Sequence, residues 1–219
     1  MPSKKLLGVW AFLDVLLLAA GVLTIVLSIV WKMPDLLRDM VISHADLTTG
    51  LILGIALIVT WAISVGAIIQ PNHVTIGLVI LNWVLILDGV VILIIGSFVW
   101  FFTLQERANF HKVFSMQSAA TQIAVQDKLK CCGYFNSTDL LQIGGSVCQS
   151  QAIADSQTPC VGPITSFADM TLNNIFSSIY GFMAIVLCLF LASLCVINKR
   201  MEEERFRKID EKRGGRGFV

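Results

Sequence analysis

Four long stretches of this chain are almost free of charge, and they limit what it can fold into more than any other feature. Leu6–Val30 has one charged residue in 25, Leu51–Ile69 none in 19, Val74–Phe102 one in 29 and Phe176–Ile197 none in 22. A helix needs about 20 apolar residues to cross about 30 Å of hydrocarbon. One such run could be a helix buried in a soluble core; four in 219 residues leave too little chain to cover them. The sequence therefore predicts an all-α integral membrane protein with four transmembrane helices. Composition agrees: 56 % of residues are hydrophobic and 14 % charged, against about 25 % charged in soluble domains. That balance argues against a freely soluble enzyme, a disordered chain and a nucleic-acid binder that needs a strong basic field. The first run is too long for the roughly 7–15 residue core of a cleaved signal peptide. Trp10 and Trp31, near its ends, read as interfacial anchors.

Four spans put both termini on one side. The side holding the ends and the short loop Gln70–His73 has ten Lys and Arg in 31 residues; the other side has six in 93. Positive charge concentrates on the cytoplasmic side of membrane proteins, so both termini are expected there. The expected organisation is a cytoplasmic N-terminus (1–5), spans at 6–30, 51–69, 74–102 and 176–197, and a cytoplasmic tail (198–219). A small outer loop (31–50), an inner loop (70–73) and a large outer loop (103–175) connect the spans.

Four of the six cysteines, Cys131, Cys132, Cys148 and Cys160, fall in the large outer loop. On an oxidising face they read as two disulfides. A bridge between the adjacent Cys131 and Cys132 would be strained, so two pairings stay open, each tying the pair to Cys148 and Cys160. Zinc is the rival use of four cysteines; adjacent cysteines and an oxidising compartment argue against it. Gly133 follows the pair, where a residue without Cβ lets the backbone turn sharply. The one glycosylation sequon, Asn136-Ser137-Thr138, lies in the same loop and makes Asn136 a candidate acceptor. Thr103–Lys130 lacks Gly and Pro, and its apolar residues recur at helical intervals, which predicts one or two helices. Phe110 and Phe114 in that stretch are expected to pack against a returning helix over Ile164–Asn174. Tyr134–Thr158 is polar and reads as a short variable lobe.

Four spans, a small first outer loop, a minimal inner loop and a large second outer loop bearing Cys131-Cys132-Gly133 resemble the tetraspanin family. The chain is most similar to the short fungal tetraspanins associated with appressorium-mediated host penetration. The resemblance implies the pairings Cys131–Cys160 and Cys132–Cys148 and an outer loop made of a helical stalk and a variable lobe. It implies a non-enzymatic scaffold that binds other integral membrane proteins, and further copies of itself, in membrane microdomains. It also implies an intramembrane cavity for a membrane lipid or sterol. The chain departs from the family pattern in two places. Gly145-Ser146-Val147, not a Pro-x-Ser triplet, precedes Cys148, and no cysteines flank the first span or the inner loop. The second departure weakens any expectation of extensive palmitoylation.

Inside the spans, Asp14 and Asp88 are costly in hydrocarbon and are expected to face other helices. Counted from the inner ends, Asp14 and Asn82 lie about 12 Å deep and Asp88 about 21 Å, so depth selects Asn82 as the partner of Asp14. These three residues are also the candidate lining of a lipid cavity. Small or polar residues recur seven apart at Asp14, Gly21 and Ser28 and at Asn82, Gly89 and Gly96, while Gly50, Gly54, Ala62 and Gly66 suggest a small face on the second span. Cys195, about one turn from the inner end of the last span, is the candidate for S-palmitoylation; the deeper Cys188 is expected to pack.

No nucleophile–base pair, metal-ligand set or phosphate loop emerges, and His44, His73 and His111 lie in separate segments. The chain is therefore not expected to be an enzyme, to carry a cofactor or to bind nucleic acid. The expected function is membrane organisation through lateral contacts and the stapled outer lobe, at the plasma membrane or an endosomal or vacuolar membrane. Lipid or sterol binding and transport through the intramembrane polar residues is the alternative.

Overall fold

The hydrophobic patterns resolve into helices throughout. The structure, a computed structural model, describes residues 4–70 and 75–213. Residues 71–74, with His73 and most of the expected inner loop, the Lys4 side chain and residues 214–219 of the tail lie outside the described residues. In chain order the helices are α1 (Lys4–Val30), α2 (Arg38–Val41), α3 (His44–Ile69), α4 (Ile76–Leu104), α5 (Glu106–Ser115), α6 (Ala119–Leu129), α7 (Gln151–Ala154) and α8 (Val161–Lys212). Among the described residues α1, α3, α4 and α8 are long and apolar enough to cross a membrane, as in a multi-pass membrane protein. There is no strand among them, only an isolated bridge between Gly144 and Cys148.

The chain forms two compact units. One comprises Met1–Leu27, Gly50–Ile94 and Ile179–Val219; the other comprises Ser28–Thr49 and Ile95–Ser178.

In the first unit each long helix buries a narrow line of residues spaced alternately three and four apart. The line runs through Trp10, Asp14, Leu17 and Gly21 on α1, and through Leu53, Leu57, Thr60, Ser64 and Ala67 on α3. On α4 it takes Leu78, Leu81, Leu85, Asp88 and Ile92, and on α8 Val186, Leu189, Ser193 and Val196. A mean spacing of 3.5 residues is the period of a left-handed helix seam. The remaining faces are apolar and exposed, as at Phe12, Ile52, Trp83 and Leu191. Faces of this kind fit hydrocarbon, where backbone groups are already satisfied within the helix. The α1 and α3 backbones meet at two glycines. A Cβ on Gly21 would lie 3.1 Å from the Gly54 carbonyl oxygen, and one on Gly54 would lie 3.0 Å from that of Gly21.

Three expectations change here. Trp10 is not an interfacial anchor: it is 1 % exposed and its indole is held by Asp14. Ala62 and Gly66 are exposed on α3, and a Cβ on Gly66 or Gly89 would meet open space. The buried face of α3 is instead the one that carries its hydroxyls, because it must supply donors to the carboxylates opposite.

In the second unit a core gathers Phe110 and Phe114 of α5, Val125 of α6, Cys131, Tyr134, Cys160, and Ile164, Ala168 and Leu172 of α8. Phe110 and Phe114 are fully buried and share this core with the expected returning helix. The segment 31–50 joins it with Leu37, Met40, Val41, Ile42 and Leu47. The apolar run at Met40-Val41-Ile42 therefore forms part of the core, and α3 starts at His44 rather than residue 51. Asp35 caps the turn before α2, accepting from the amides of Leu37 (3.1 Å) and Arg38 (3.2 Å). Those amides, with Lys128 at 3.6 Å, hold its carboxyl below the usual range. The returning helix, last span and tail are not separate pieces: α8 is continuous for 52 residues. Pro163 sits in its first turn, where a missing amide hydrogen breaks no helical bond.

Candidate functional site

The site residues named from sequence fall into two groups. The first is the polar set within the long helices. The Asp14 carboxylate accepts from the Trp10 indole (3.0 Å) and the Ser64 hydroxyl (2.6 Å). Asp88 accepts from the Thr60 hydroxyl at 2.5 Å. Asn82 accepts from the Ser193 hydroxyl. The Asp14–Asn82 pairing chosen by depth is thus not the one formed. Equal depth leaves the facing direction open, and Asn82 lies one residue off the buried line of α4, toward α8. Thr60, Ser64 and Ser193 went unnoticed in the sequence because hydroxyls are common in apolar helices. The available signal was their spacing: Thr60 and Ser64 continue the register of Leu53 and Leu57. Asp14 and Asp88 bind the same helix one turn apart, so these contacts act as a lock between helices.

The second group surrounds the cysteines. Disulfides join Cys131 to Cys160 (1.99 Å) and Cys132 to Cys148 (2.02 Å), one of the two pairings open from the residues. Helix α6 is capped by the Ser118 hydroxyl, which accepts from the Thr121 amide at 3.2 Å. The helix ends at Lys130, whose left-handed backbone (φ 53°) redirects the chain into the cysteine pair. Gly133 is also left-handed (φ 72°), and a Cβ there would run into the Asn136 carbonyl oxygen. The turn is then tied to the far end of the lobe by main-chain bonds. The Cys132 amide donates to the Thr158 carbonyl (3.1 Å), Cys160 to Gly133 (3.0 Å) and Val161 to Tyr134 (3.1 Å).

Two consecutive side chains of α6 hold the rest of the lobe. The Gln126 amide, 1 % exposed, is placed to donate to the Gln142 carbonyl (2.9 Å) and accept from the Gly133 amide (3.0 Å). Asp127 accepts from the amides of Ser146 (2.9 Å) and Val147 (2.9 Å), which keeps its carboxyl below the ordinary range. Cys132, Cys148 and Ala154 form a small core with Leu141 and Val147.

Asn136 is exposed next to the turn, and its side-chain oxygen accepts from the Thr138 amide (3.0 Å) and hydroxyl (2.7 Å). Beside it Phe135, 48 % exposed, stacks on His111 with ring centres 5.1 Å apart. The His111 Nε2 lies 3.3 Å from Asp139. Cys195 and Cys188 are both exposed free thiols. The expectation that Cys188 packs is corrected: it lies seven residues from Cys195, on the side of α8 away from its buried line.

Beneath the turn, at the start of α5, Glu106 is hydrogen-bonded to Asp169 of α8. Burial first, then the bond to Asp169 and its charge, push the Glu106 carboxyl up from 4.5 to about 7, against a smaller opposing pull from Arg107. Between pH 4.5 and 7 the folded chain therefore holds a proton that the unfolded chain has released. Stability must fall as pH rises through this window, and level off above it. Thermal unfolding followed from pH 4 to 8 should show that fall in the wild type and lose most of it in Glu106→Gln, which keeps the hydrogen bond without the charge. Equal slopes in the two proteins would assign the pH dependence to other groups.

No protein-family model, curated protein or solved structure matches the chain.

Proposed function

We propose that the chain is a tetraspanin-like membrane organiser, which binds other integral membrane proteins and further copies of itself through its spans and through the lobe 134–158. The observation that carries this reading is the Cys131-Cys132-Gly133 turn: from it two disulfides diverge to Cys160 and Cys148 and hold a small lobe by its ends. In this reading the lobe faces the outside and both termini are cytoplasmic, as the density of Lys and Arg near the ends demands. Asn136 is the glycan acceptor, and Cys195 takes the acyl chain on a lipid-facing side of α8. The protein resides in the plasma membrane or an endosomal or vacuolar membrane. The carboxylates of Asp14 and Asp88 already accept from protein hydroxyls, so nothing favours the lipid-transport reading over this one.

The test is cross-linking in native membranes followed by identification of co-purified proteins. A chain with residues 135–158 exchanged for an unrelated sequence of equal length that keeps Cys148, and so both disulfides, should lose a defined subset of partners. A partner set unchanged by this exchange and by replacement of the spans would refute the proposal.

A further inference from the structure

Where the charge-free stretch of α4 ends and that of α8 begins, the second unit contains an open cleft of about 580 Å³. Trp100 and Thr103 of α4 line it with Asp169, Met170, Leu172, Asn173 and Phe176 of α8. Its walls are unequal in chemistry. Trp100, Met170 and Phe176 offer apolar surface, with Met170 72 % exposed. Asp169, Asn173 and Thr103 offer oxygen atoms. The Thr103 hydroxyl donates to the Trp100 carbonyl at 2.7 Å, so toward the cleft it can only accept. Asp169 is the acid bonded to Glu106; even with one proton shared between them the pair keeps a negative charge. Arg107 pulls on Glu106 by its charge but does not line the cleft, whose one charged lining residue is Asp169.

An apolar wall beside three acceptors and a net negative charge selects one kind of occupant at a membrane–water boundary. We propose that this cleft seats a single lipid with a primary ammonium head, the three N–H groups donating to Asp169, Thr103 and the Asn173 side-chain oxygen while one chain lies along Trp100, Met170 and Phe176. A sterol hydroxyl brings one donor and no charge, and a trimethylammonium head brings charge without donors; each leaves acceptors unmatched. The inference concerns the second unit only and stands apart from the partner-binding role of the lobe.

The test uses the full chain in phosphatidylcholine nanodiscs doped with dioleoylphosphatidylethanolamine, with retained lipid counted by native mass spectrometry. One phosphatidylethanolamine per chain is expected, with retention falling stepwise as the amine is mono-, di- and trimethylated. Asp169→Asn should weaken retention about tenfold, the loss of one charge-assisted contact. Asn173→Trp, which fills the cleft and leaves the acids intact, should abolish it. Intact disulfides in both variants, mapped without reduction, show that each is folded. Equal retention of the primary amine and its trimethyl counterpart would overturn the proposal. So would retention unchanged in both variants, or a doped sterol displacing the amine lipid.

Discussion

Replacing Cys131 and Cys160 together by alanine should destabilise the second unit by about 3–4 kcal/mol. The bridge spans 29 residues of sequence, and closing a loop of that size restricts the unfolded chain by about this amount. The bridge between Cys132 and Cys148 spans 16, which in the same treatment makes it about 0.5 kcal/mol weaker. The two should also fail differently. Cys131 and Cys160 sit in the core with Tyr134, Phe110 and Phe114, whereas Cys132 and Cys148 sit in the small cluster with Ala154. Losing the first pair should open the whole unit to protease. Losing the second should expose only the lobe, with α5 and α6 still protected. Limited proteolysis with mass mapping distinguishes these patterns, and identical cleavage in the two double variants would show that the bridges do not divide the unit in this way.

Tyr134 should be the most sensitive position outside the cysteines. It is fully buried, packs edge-on to Phe135 and His111, and lies 5.7 Å from Phe114 between ring centres. Its hydroxyl donates to the Arg107 carbonyl at 2.8 Å. Tyr134→Ala removes a ring from a closed core and should cost about 3–5 kcal/mol. Tyr134→Phe keeps the ring and leaves only the Arg107 carbonyl short of a donor, costing about 1 kcal/mol. Chemical unfolding followed by near-ultraviolet dichroism gives both values. A second readout is independent of stability. Burial first, with the charges of Glu106 and Asp139, pushes the phenol up from 10 to about 12. In an alkaline absorbance titration the step lost in Tyr134→Phe should lie well above pH 10. Loss of a step near pH 10 would mean that Tyr134 is not enclosed as described.

Much of the architecture could be read from charge and spacing. The four spanning helices follow from charge-free length, and the register of α1 from Asp14, Gly21 and Ser28, all of which are buried. Helices α5 and α6 follow from the absence of Gly and Pro before Lys130. What was not readable depends on direction about a helix axis and on contacts distant in sequence. Small residues on α3 suggested one face, but the carboxylates of Asp14 and Asp88 need donors, and that need brings Thr60 and Ser64 inward. Trp10 resembled an anchor because its position along the span is terminal; its indole serves Asp14 instead. The acid pair of Glu106 and Asp169 joins residues 63 positions apart, and no local pattern marks it. The same holds for Gln126 and Asp127, whose roles become visible only when the chain has turned back past Gly133.

The way those two side chains hold the lobe has a consequence for how such a protein can diversify. Gln126 and Asp127 grip main-chain groups of residues 133, 142, 146 and 147, and the Cys132 amide grips the main chain of Thr158. From Gln151 to Pro159 only Ala154 is buried. Gln151 and Asp155 bond to Ser137, but substitutions at Ala152, Ile153, Gln157 and Pro159 can rewrite the exposed surface while the bonds that shape the loop go unchanged. Surface and architecture are thereby separable in heredity: one can drift or be selected without the other being rebuilt.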